Sequence, residues 1–209
     1  MAISRLRATT AALLLLASAA CEDLTVPQLG GAYLGQVDSP FTVEGAVLFA
    51  LPLTGLQSIT TPNRVMFAQP IGDSLRVLII NRPDRAFGGP LSFVMQMDDG
   101  VPPQGGEVLA VSAPDNELRD FTGGFILRFS RDRTEGAVVP VVPAPAAPVG
   151  PYTLEQLVGH FFGVPVSAEV AAYMDSFGNA SGAYDIGDVR QYLVGFPGQI
   201  PTDRTTWTR

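Results

Sequence analysis

The sequence predicts a mainly β protein, an antiparallel β-sandwich over residues 30–134 followed by a small all-α unit over 152–196. Three observations carry that expectation. Between Gly30 and Phe129, short apolar or alternating runs are broken by Gly, Pro, Asn or Asp at roughly ten-residue intervals, the spacing of sandwich and barrel strands. After Arg133 the composition turns to GAVVPVVPAPAAPVGP. Beyond that stretch the apolar residues fall at helical spacing instead.

The N-terminus, MAISRLRATTAALLLLASAAC, places Arg5 and Arg7 before an apolar run through Leu16 and a small-residue exit. These are the three parts of a secretory signal peptide, here residues 1–20, and the run is too short to span a bilayer. The one cysteine of the chain, Cys21, directly follows Ser18-Ala19-Ala20. The segment therefore resembles a bacterial lipoprotein signal, in which that cysteine is acylated and anchors the chain to a membrane. Ala17-Ser18-Ala19 also satisfies an ordinary signal peptidase, so export is common to both readings and lipidation to one. Residues 21–29 then form a tether. With one cysteine no intrachain disulfide can form, and stability must come from packed apolar area, with a bound cation as the other candidate source.

The strand runs are FTVEGAVLFAL, RVMFAQPI, SLRVLII, LSFVMQM, EVLAVSA and GFILRF. GGFILRFSR alternates cleanly, with Phe125, Leu127 and Phe129 on one face and Ile126 and Arg128 on the other. MDDGVPPQGGEV reads as an exposed connection whose carboxylates form turns. Residues 135–151, with five prolines from Pro140 to Pro151, predict an extended, semi-rigid linker.

Thr153 opens a helix with two start signals: Gln156 completes a capping box, and Tyr152 faces Leu157 as a hydrophobic staple. Gly163 and Pro165 end it, Ser167 caps a second helix, and a third begins at Ile186. Val170, Tyr173, Met174, Val189, Tyr192 and Leu193 are the expected inward positions. Three helices in about 45 residues are marginal without a metal or a partner. His160 reads as a structural or surface residue, and Asn179-Ala180-Ser181 as a coincidental glycosylation triplet. The tail, 197–209, lacks periodicity and reads as loose.

The candidate chemistry lies in MDSFGNASGAYDIGDVRQYL, Met174 to Leu193. An EF-hand register with Gly182 at the sixth position puts Asn179 third, Ser181 fifth, the Ala183 carbonyl seventh, Asp185 ninth and Asp188 twelfth. Hard cations take six to eight oxygens, and a glycine turn lets alternate side chains converge, so Ca²⁺ is the expected ligand. Phe177 occupies the first position, where an aspartate is usual, which leaves two carboxylates and a weak site. A metal-free reading stands beside it. Asp185 is a natural N-cap, and Asp188, three residues on, is favoured by the helix dipole.

The segment YMDSFGNASGAYDIGDVRQYLV resembles a dockerin-type module, with Asp188 at position twelve and Val189, Tyr192 and Leu193 following on a helix. One loop–helix repeat is present where dockerins carry two. The strand order and pattern from Gly30 to Phe129 resemble a cohesin-like, jelly-roll sandwich. The resemblance implies a protein partner of the cohesin or dockerin type, and related sandwiches bind carbohydrate.

The formal charge is −7 and every one of the 13 basic residues is arginine, which disfavours nucleic acid. One histidine and one cysteine leave few routes to nucleophilic or zinc chemistry, so an enzyme is not expected. The leading expectation is an exported, lipid-anchored, non-catalytic protein in calcium-assisted assembly at the cell surface. The alternatives are a carbohydrate-binding module of a polysaccharide-degrading system, using Tyr33, Phe41, Phe49, Phe67, Phe87, Phe93, Phe121, Phe125 and Phe129, and a structural envelope lipoprotein.

Overall fold

A computed structural model describes residues 30–61, 64–82, 90–120, 124–131, 149–201 and 206–209. Residues 1–29, which hold the expected signal peptide, Cys21 and the expected tether, and most of the proline-rich stretch lie outside the described residues.

In chain order the strands are β1 (Gly31–Asp38), β2 (Ala46–Pro52), β3 (Leu56–Thr60), β4 (Val65–Ile71) and β5 (Ser74–Ile80). They continue with β6 (Ser92–Met97), β7 (Glu107–Ser112), β8 (Ile126–Arg131) and β9 (Thr206–Thr208). They form two antiparallel sheets, one ordered β8-β1-β6-β3-β9 and the other β4-β5-β2-β7. A tight Gly72–Asp73 connection joins β4 to β5, with Gly72 at φ 58°, a conformation glycine adopts without steric cost.

Both sheets contribute to one apolar cluster. Val37, Leu56, Ile59, Phe93, Met95 and Met97 from the first meet Val47, Phe49, Leu51, Met66, Leu75, Val77, Ile79 and Val111 from the second. Phe49 and Phe93 stack at its centre, with ring centroids 4.9 Å apart. Gly35 on β1 makes room for this pair, since a Cβ there would run into the Phe93 ring. Leu127 is buried while Ile126 is 54% exposed, as the alternation in β8 predicts.

The second sheet is apolar on both faces. In β2, β4 and β5 the residues between those just named, Ala46, Leu48, Val65, Phe67, Leu78 and Ile80, are buried on the other side. Strands covered on both faces read as continuous apolar runs, and VLFAL and VLII are such runs.

The cover is helical. Helix α1 (Leu154–Val158) runs on into a 3₁₀ turn (Gly159–Phe162) and is followed by α2 (Ala168–Phe177) and α3 (Ile186–Gly195). Leu154, Val158, Phe162, Ile186, Val189, Leu193 and Ile200 join the six sheet residues in a second cluster. Arg76 on β5 donates Nη1 to the Phe161 carbonyl at 2.8 Å, satisfying an acceptor at the end of the 3₁₀ turn. A third cluster, Leu157, Met174 and Tyr192 with Tyr152, Val170, Tyr173 and Phe177 against it, lies among the helices themselves. The sequence reading sets the helices apart from the β region; in the structure Leu154, Val158, Phe162, Ile186, Val189 and Leu193 cluster with residues of its second sheet.

The helix starts are as the sequence predicts. Thr153 and Gln156 make a capping box, and Ser167 Oγ accepts from Val170 N. The tail differs from its expected looseness. Pro197–Gln199 form a 3₁₀ turn, Ile200 is buried in the second cluster, and β9 pairs with β3. Trp207, opposite Ile59, packs on the inter-sheet core, and that apolar contact orders a stretch without periodicity.

Candidate functional site

Helix α2 ends at Phe177, and the chain turns back through Gly178 to Tyr184 before α3 starts. Two backbone features shape that turn. Ala180 lies at φ 53° and Gly182 at φ 90°, so the position singled out for an obligatory glycine is left-handed. Gly178 is packed so closely against Asp188 that a Cβ there would strike its carboxylate.

All five predicted residues join one hydrogen-bond network. Asn179 is its hub: its N–H donates to Asp188 Oδ1 at 3.0 Å, and its Nδ2 donates to Asp185 Oδ2 at 3.2 Å. Asn179 Oδ1 accepts from Ser181 N at 3.0 Å, an Asx turn that holds the loop in shape. Ser181 Oγ lies 3.1 Å from the Ala183 carbonyl and 3.2 Å from Asp185 Oδ2.

The two aspartates serve the helix. Asp185 Oδ1 accepts from Gly187 N at 2.7 Å and from Asp188 N at 3.4 Å, while Asp188 Oδ2 accepts from Asp185 N at 2.8 Å. This is a reciprocal capping box at the start of α3, with both carboxylates placed where the helix dipole favours negative charge. Asp188 is fully buried. Burial pushes its carboxyl up to about 6, opposed by the amides of Asn179 and Asp185 and reinforced by the negative charges of Asp185 and Asp175. Burial also raises the Tyr184 hydroxyl, as do both aspartates, and that hydroxyl donates to the Leu157 carbonyl at 3.0 Å.

Two of the participants do not follow from the loop register. Asp175, two residues before the end of α2, accepts from Gly182 N at 2.9 Å. In sequence it stands out only as an acidic residue seven positions before the glycine. Asn116, in the connection after β7, offers its carbonyl to Asn179 Nδ2 at 3.0 Å. Its side chain also meets Gln191 and Arg190 of α3, and Arg190 reaches the Pro114 carbonyl as well. No local pattern links residue 116 to residue 179, because the contact is tertiary.

Phe177, at the first loop position, turns away into the aromatic cluster and stacks on Tyr173 and Phe196. Among the described residues no group of three or more His, Cys, Asp and Glu side chains is gathered as a metal cage would be. The oxygen donors present, the Asn179 amide, Ser181 hydroxyl, Ala183 carbonyl and Asp185, are of the kind a hard cation takes. Both Asp188 oxygens face backbone N–H groups.

Of the aromatic residues expected to stack on sugars, Tyr33, Phe49, Phe67 and Phe93 are buried, and Phe41 is 43% exposed. Phe41 stacks on Phe125 beneath the Arg119 guanidinium. Phe87, Phe121 and Cys21, the residue expected to carry the lipid, lie outside the described residues. No described helix is long and apolar enough to cross a membrane. No protein-family model matches the chain, nor does any curated protein or solved structure.

Proposed function

We propose that this chain is an exported, lipid-anchored, non-catalytic protein that mediates calcium-assisted protein–protein assembly at the cell surface. In this reading the two antiparallel sheets form a cohesin- or jelly-roll-like sandwich, and α1–α3 a dockerin-like module laid against it. Export and anchoring rest on the signal-like N-terminus and on Cys21. The observation that carries the reading is the single network joining Asn179, Ser181, Ala183, Asp185 and Asp188, which also touches Asn116 in the β region. Asn179, Ser181, the Ala183 carbonyl and Asp185 would hold Ca²⁺, and Asp188 would join them by giving up its part in the cap. Because the same loop starts α3, and α3 packs on the second sheet, occupancy there would stiffen both layers.

Calorimetric titration of the full mature chain with calcium, paired with melting curves in millimolar calcium or chelator, tests this. Heat of binding and a raised Tm are expected. An unchanged Tm with no heat of binding would remove calcium from the proposal.

One observation favours a second reading, a structural envelope lipoprotein with a metal-free capped turn. Both oxygens of Asp188 and Oδ1 of Asp185 are already engaged by backbone amides. Carbohydrate binding by the sandwich has less support, since four of its nine candidate rings lie in the interior.

A further inference from the structure

The edge of the first sheet opposite β8 is closed by a strand of three residues. Ser58, Ile59 and Thr60 of β3 face Thr208, Trp207 and Thr206, and Arg209 N donates to the Gln57 carbonyl at 2.9 Å. Thr206 and Thr208 are exposed while Trp207 is half-buried, the alternation of a strand with one anchored face. That anchor packs on the core between the sheets, and β9 also contacts β4, the edge strand of the other sheet. The receiving surface is therefore a strand edge beside the apolar residues on which Trp207 packs. Strand addition uses these two elements, main-chain bonds for affinity and a side-chain pocket for specificity.

The occupant is held lightly. A three-residue strand paired on one side, with one anchoring side chain, belongs to the part of a fold that opens locally without global unfolding. Its removal leaves β3 with unpaired N–H and C=O groups, a template for another strand.

We propose that the β3 edge and the apolar seat of Trp207 beside it form a strand-acceptor site. The chain's own Thr206–Thr208 fills it, and the same strand of a second copy fills it by exchange. The second copy is the fitting occupant because it offers the same threonine–tryptophan–threonine pattern that the site already accepts, and exchange of identical elements is a low-cost route to dimers. The β3 edge lies on the sheet that α1–α3 do not cover, and the site uses none of the loop residues 175–188, so it stands or falls apart from the calcium reading.

A synthetic peptide of Thr206–Arg209 preceded by two glycines, with 5-fluorotryptophan at the Trp207 position, stands in for the second copy's strand. It is titrated by ¹⁹F NMR with the wild-type chain, with the full-length Trp207→Ala variant and with a chain lacking Thr206–Arg209. Saturable binding to both variants is expected. Binding to the wild type should be at least about tenfold weaker, because a covalently attached strand competes at an effective concentration of order millimolar. Absence of saturation with variants that keep the β6 amide spectrum overturns the proposal, and so does equal binding to the wild type. Hydrogen exchange on the wild-type chain is independent of variant folding. The Thr206–Thr208 amides should exchange at least about a hundredfold faster than those of β2 and β5, and equal protection would overturn the proposal.

Discussion

Asn179 donates its side-chain amide to the main-chain carbonyl of Asn116, 3.0 Å away, and so joins the turn before α3 to the connection after β7. Asn116 is left-handed at φ 77°, a conformation Asn tolerates better than most residues, and this aims its carbonyl at the loop. Gly187 lies against that same carbonyl so closely that no Cβ would fit.

Asn179→Ala should remove the bonds to Asn116 and Asp185 and leave the Asn116 carbonyl without its side-chain donor. A loss of about 1–3 kcal/mol is expected in chemical denaturation, the range for stranding a partly buried polar group. Asn179→Asp should recover little, since it places a third carboxylate beside Asp185 and Asp188.

Asp185→Ala removes the N-cap of α3 and should cost about 1–2 kcal/mol, with Asp185→Ser recovering part of it. Circular dichroism melts report the loss. A Tm unchanged within error would mean that the cap contributes nothing.

Acid should favour the fold through Asp188. Its carboxyl titrates in the folded protein at about 6, against an ordinary value of 3.8, so between these pH values the folded state holds a proton that the unfolded chain has released. The group's contribution is fully present below the ordinary value and is lost as pH rises through about 6. Carboxyl-carbon NMR should find that midpoint, and Asp188→Asn should flatten the dependence of stability on pH in this window.

Leu193→Ala tests the shared packing. Leu193 is fully buried in the cluster formed with Leu48, Phe67 and Ile80, and the truncation should cost about 2–5 kcal/mol. Helix ellipticity and strand amide signals should fall together in one transition. Two separated transitions would contradict a common core.

Gly35→Ala should cost about 1–3 kcal/mol by driving a methyl group into the Phe93 ring. Pairing it with Phe93→Leu should cost less than the two losses added, because each change makes space for the other.

The strand runs were legible where local chemistry sets them. β2, β4, β5, β6, β7 and β8 fall within the apolar runs, and Thr153, Ser167 and Asp185 each cap the helix that follows them. β1, β3 and β9 were harder to see. β1 carries Gly31 and Gly35, β3 has five residues, and β9 has three with a single apolar side chain. One sequence signal carries more than strand pattern. VLFAL in β2 and VLII in β5 have no polar face, and such runs mean that both sides are covered, so a partner for the outer side was implicit in the sequence. That the cover is α1 and α3 depends on packing between residues more than 70 positions apart, such as Leu48 and Val189 in one cluster, which no local window contains. In the candidate loop the residue types and the glycine conformation could be read, while the direction of Asp188, inward to backbone amides, is set by the close approach of Gly178.

The apolar outer face of the second sheet also bears on how the protein can be handled. A fragment stopped at residue 150 would present Ala46, Leu48, Val65, Phe67, Leu78 and Ile80 to water as one continuous patch. Patches of that kind drive domains to associate, so such a fragment should precipitate or collect in inclusion bodies to a greater extent than the same chain carried through residue 209.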